Sequence, residues 1–72
     1  MDLVGKKLTR EILEENGDNL IGRILADFSP LKLGRVVIRG VVKKTDHYEV
    51  KVGNESREVF ILPPYTEHFK FV

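Results

Sequence analysis

The segment from Arg35 to Leu62 holds β-type runs separated by two turn clusters, and it limits the fold more than any other feature. Arg35–Lys44 is rich in Val and Ile, Tyr48–Val52 alternates apolar with polar, and Arg57–Leu62 turns apolar again. Thr45-Asp46-His47 and Gly53-Asn54-Glu55-Ser56 supply turn residues between them. Pro63-Pro64 closes the last run, because proline has no N–H for a ladder. Short runs joined by tight turns predict an antiparallel β-meander.

Charge and apolarity together predict its register. With Thr45-Asp46-His47 as the loop, Lys44 faces Tyr48, Lys43 faces Glu49 and Val42 faces Val50. A two-residue loop would set Val42 beside Glu49 and Lys43 beside Tyr48, which matches neither charge nor apolarity. In the second hairpin Val52 faces Arg57, Lys51 faces Glu58 and Val50 faces Val59. Val36, Ile38, Val42, Tyr48, Val50, Val52, Val59 and Ile61 then share one inward face.

Before Pro30 the period changes. Thr9 fits an N-cap, Leu8 and Leu13 a hydrophobic staple, and Glu11 the positive first turn of a helix that Asn16-Gly17 stops. Asp18 fits the cap of a second helix, with Leu20, Ile21, Ile24, Leu25 and Phe28 on one stripe. Pro30 ends it by disfavouring the helical conformation at Ser29. The rival reading makes Leu20–Phe28 a strand after an Asn16-Gly17 hairpin turn. Two short helices packed on one face of a three- to four-stranded antiparallel meander give an α+β domain spanning residues 1–72; the alternative is a small closed β-barrel. Phe69, Lys70 and Phe71 alternate as a short last strand.

A chain of 72 residues suits one domain. A domain this small buries about 60% of the surface its unfolded chain exposes, leaving a stability margin of a few kcal/mol. It has no cysteine, so neither disulfides nor thiolate metal sites hold it together. The absence of a long apolar run or a signal-type start predicts a cytoplasmic location without membrane contact. Twelve basic against eleven acidic residues leave a net charge of +1, so net charge alone points to no nucleic-acid partner.

On the meander's outward face the predicted register places Arg35, Val37, Arg39, Val41, Lys43, Glu49, Lys51, Glu58, Phe60 and Leu62. A face meant only for water is normally polar, so Val37, Val41, Phe60 and Leu62 suggest a contact surface for a second copy or another protein. The bland account is that Tyr65, Phe69 and Phe71 fold back as a cover. Arg35, Arg39, Lys43 and Lys51 on the same face, with Phe60 to stack a base, suggest nucleic acid instead. Lys6, Lys7 and Arg10 offer a second basic patch. Glu49 and Glu58 oppose the stripe by pairing across strands.

Catalysis finds little basis. Ser29 precedes a proline and Ser56 lies in a turn, neither in a nucleophile elbow, and no glycine loop cradles a phosphate. His47 and His68 each follow an acid but have no metal-ligand spacing. Neither a cofactor nor a metal is implied, and the expectation is a non-catalytic interaction module. Val4-Gly5-Lys6, Ile21-Gly22-Arg23-Ile24 and Ile61-Leu62-Pro63 together resemble PRC-barrel domains, small β-barrels used as adaptors. That resemblance implies a strand, not a helix, across Leu20–Phe28.

Overall fold

The computed structural model describes residues 2–28, 30 and 34–72; Ser29 lies outside them. Helix α1 runs Arg10–Asn16, followed by a 3-10 turn at Gly17–Leu20. Strands β1 (Ile24–Asp27), β2 (Arg35–Lys43), β3 (Tyr48–Gly53) and β4 (Glu58–Ile61) follow, then a 3-10 turn at Tyr65–His68 and β5 (Phe69–Phe71). The strands form a five-stranded antiparallel sheet in the order β4-β3-β2-β1-β5. The fold is α+β.

Helix α1 is built as its sequence suggests. Thr9 Oγ1 accepts from the Ile12 N–H at 3.4 Å, Glu11 sits in the first turn, and Leu8 and Leu13 are both buried. The second helix does not form. Gly22 takes a φ of 95°, a left-handed conformation that breaks any helix through it and turns the chain into β1. The stripe then divides by strand alternation: Leu20 and Leu25 are buried, whereas Ile21, Ile24 and Phe28 are exposed. A strand over Ile24–Asp27 matches part of the Leu20–Phe28 strand of the rival reading, but Asn16-Gly17 ends α1 and forms no hairpin turn. The sheet remains open and is no closed barrel.

Phe69 and Phe71 are fully buried because β5 pairs with β1, with Leu25 opposite Phe71. The C-terminal segment therefore completes the core and does not cover the outer face. The chain from Gly5 to Leu8 lies along the other side of β5: Gly5 N–H donates to Phe71 O at 2.8 Å and Leu8 N–H to Phe69 O at 3.0 Å. Leu3, Leu8, Leu13 and Leu20 close the inner face of the sheet over Val36, Ile38, Val50 and Val52. No described helix is long and apolar enough to cross a membrane.

The meander's register departs from expectation in both hairpins, and in the first the cause is a β-bulge. Ile38 pairs with Val52, but the next pair is Gly40 with Lys51, so Arg39 is the additional residue. Beyond the bulge every β2 side chain changes face relative to simple alternation. Val41 takes the inward place opposite Val50, and Val42 turns outward opposite Glu49. The loop is then the two-residue one that a bulge-free strand would disfavour, with Lys44 N–H donating to His47 O at 2.8 Å. In the second hairpin Asn54 and Arg57 close a two-residue turn, and Asn54 Oδ1 accepts from the Ser56 N–H at 2.8 Å. This moves β4 by two positions, placing Val52 opposite Val59 and Val50 opposite Ile61. A shift of two keeps every β4 side chain on its predicted face.

Candidate functional site

The outer face of the open sheet is the candidate site. Ile24 and Phe28 on β1 and its extension, Val37 on β2, Phe60 on β4, and Leu62 just beyond it lie on this face. Phe28 is 65% exposed, Phe60 51% and Leu62 42%, whereas Val37 is half-buried between its neighbours. An apolar row crosses the sheet from Val37 through Ile24 to Val72, whose N–H donates to Ile24 O. Of the predicted contact residues, Val37, Phe60 and Leu62 are where the sequence places them. Val41 is not: the bulge turns it inward, where it packs on the core.

The predicted basic stripe is also divided by the bulge. Arg35 and Arg39 remain outward, but Lys43 pairs with the inward Tyr48 and so belongs to the opposite face at the rim. Arg39 reaches over Gly53 towards β4. A Cβ at Gly53 would stand 3.0 Å from Arg39 Nε and 3.2 Å from Arg57 O, so glycine leaves the channel in which the guanidinium lies. There Arg39 Nε is 3.7 Å from Glu58 Oε2, and Lys51 Nζ is 3.0 Å from Glu58 Oε1. The Lys51–Glu58 pair expected from the sequence forms, though diagonally across the strands rather than directly opposite. Lys43 and Glu49 do not pair. Glu49 instead turns to His47.

His47 lies at the end of the sheet between two carboxylates. Its Nδ1 is 2.7 Å from Asp46 Oδ1 and its Nε2 is 3.1 Å from Glu49 Oε2. Both ring nitrogens can donate only as imidazolium. The hydrogen bond to Asp46, then that to Glu49, raises the His47 pKa above its ordinary range, and the same His47 bond lowers that of Asp46. Beside them, Arg10 and Leu13 of α1, Tyr48, Pro63, Thr66 and Glu67 line a cleft of about 180 Å³. That volume is below the roughly 300 Å³ at which small-molecule sites begin. Among the described residues no group of three or more His, Asp or Glu side chains is arranged to hold a metal ion.

Comparison with protein-family models, with curated proteins and with solved structures finds no match. The outer face must be interpreted from its own chemistry. Ile24 and Phe28 belong to it although a helical stripe assigns them to the core. The sequence signal that places them there is Gly22, whose cost inside a helix favours the strand reading.

Proposed function

We propose that this chain is a small non-catalytic interaction module that self-associates through the outer face of its sheet, around Phe60, Leu62 and Val37. One observation carries this: Phe69 and Phe71 are buried on the inner face and Tyr65 is itself 49% exposed, while Phe60 and Leu62 stay open to solvent in the described chain. The surrounding charges favour a protein surface, because Arg39 and Lys51 share Glu58 while Glu49 is held by His47. An interface core needs apolar and aromatic groups whose charged neighbours are already compensated.

Sedimentation equilibrium tests this reading. The wild-type chain is expected to form a dimer, and Phe60→Ser to weaken it by about tenfold or more, as loss of an aromatic anchor does. A strict monomer at high concentration would refute it, as would a dimer indifferent to both Phe60→Ser and Leu62→Ser.

A further inference from the structure

On the other half of the same face the topology assembles a row of cations that no stretch of sequence displays. Lys7 is bridged to Lys70 on β5, Lys70 pairs with Ala26 on β1, and Ala26 pairs with Arg35 on β2. All four side chains share the outer side, because their neighbours Leu25, Val36 and Phe71 are buried on the inner one. Like charges directly opposite on paired strands destabilise a sheet. Lys7 and Lys70 nevertheless stand opposite each other, and neither they nor Arg35 has a carboxylate within ion-pair range among the described residues. The cations around Phe60 are neutralised by Glu58; those of this row are not.

The same row adjoins an exposed aromatic. Lys70 Nζ lies 5.3 Å from the ring centroid of Phe28. The short Ala26 side chain leaves a low floor between Lys70 and Arg35, and the apolar row of Ile24, Val37 and Val72 runs alongside. Positive charges set beside a flat apolar floor with a projecting ring match an anion that also carries exposed π-faces. We propose that this row binds single-stranded nucleic acid, with phosphates on Lys7, Lys70 and Arg35 and a base against Phe28. A duplex encloses its base faces and would leave Phe28 unused. An acidic peptide would satisfy the cations but has no need of the ring. The site borders the self-association surface at Val37, but its phosphate and base contacts use neither Phe60 nor Leu62.

Fluorescence anisotropy with a labelled oligothymidine is the test. Binding is expected at low salt, with a log–log salt slope of about −2, corresponding to roughly three phosphate contacts on a single strand. Lys70→Glu should lower affinity by about tenfold or more while raising the thermal midpoint, since a repelling pair becomes an attracting one. Phe28→Ala should lower affinity by about tenfold with the slope unchanged. Lys43→Glu changes net charge equally but lies on the opposite face, and should alter affinity by less than about twofold. Phe60→Ser, which tests the dimer, should leave binding intact. Absence of binding at low salt would overturn the proposal. So would equal losses from Lys43→Glu and Lys70→Glu, or competition by duplex DNA or polyglutamate as effective as that by oligothymidine.

Discussion

Placing threonine at Val41 and, separately, at Val42 tests the bulge that organises the whole outer face. Valine and threonine have the same shape and both favour strands, so the substitution changes little except one methyl for a hydroxyl. Val41 packs on the core opposite Val50, whereas Val42 is exposed opposite Glu49. A hydroxyl transferred to an apolar contact without a partner costs about 1–3 kcal/mol. Val41 is only half-buried, so the lower end applies, at about 1 kcal/mol. At Val42 the same change should fall within about 0.5 kcal/mol. Urea unfolding resolves the difference, because a slope near 1 kcal/mol per molar for a small domain turns it into a midpoint shift of about 1 M. Simple alternation without the bulge demands the reverse order. If Val42→Thr is the more damaging change, then Arg39 is not the additional residue and the assignment of faces beyond it fails.

Two further outcomes follow from the same surface. Gly53→Ala puts a methyl in the Arg39 channel and should destabilise by about 1–2 kcal/mol, as overpacking does. Arg39→Ala should relieve part of this in a double-mutant cycle, and zero coupling between the two would show that Arg39 does not occupy the channel. For the His47 cluster the signs are opposite for its two titrating partners. His47 is raised above 6.5, so its contribution is complete below that value and lost as pH rises through its elevated folded pKa. Asp46 is lowered from 3.8, so its contribution is complete above that value and lost as pH falls through its depressed folded pKa. The stability advantage of the wild type over His47→Gln should therefore peak between those two ordinary values and decline at alkaline pH. A pH-independent difference in thermal midpoint would refute the ion-pair geometry.

Local signals made much of this fold readable. The cap at Thr9 and the staple of Leu8 with Leu13 belong to one helix turn. The apolar alternation of Tyr48–Val52 needs no distant partner to be recognised. Three things required more than local pattern. Leu20, Ile21, Ile24, Leu25 and Phe28 fit a helical stripe as well as they fit a turn and a strand, and the backbone at Gly22 decided between them. Gly40 within the strand signals a bulge locally, but it does not say how the residues beyond it divide between faces, since both Val41 and Val42 are suitable core residues. That single insertion moved Val41 out of the candidate contact set and Lys43 out of the basic stripe. Lastly, Lys7, Lys70 and Arg35 become neighbours only through the pairing of β5 with both β1 and the Gly5–Leu8 segment, a non-local event.

That pairing has a kinetic consequence. The meander of β2, β3 and β4 closes through two-residue turns, but joining Gly5–Leu8 to β5 brings together segments near residues 7 and 70. Closing so long a loop carries the largest entropy cost in the molecule and yields few hydrogen bonds at first. Phe69 and Phe71 are buried through the pairing of β5 with β1, itself a contact between segments distant in the chain. The edge is then the last part to zip and the first to open, and amide exchange at Gly5, Leu8 and Phe71 should outpace exchange at Val50 and Val52. The cationic row exists only while the zip is closed. A polyanion bridging Lys7 to Lys70 would thus act as a clasp, tying the two remote segments together and slowing their exchange as it binds.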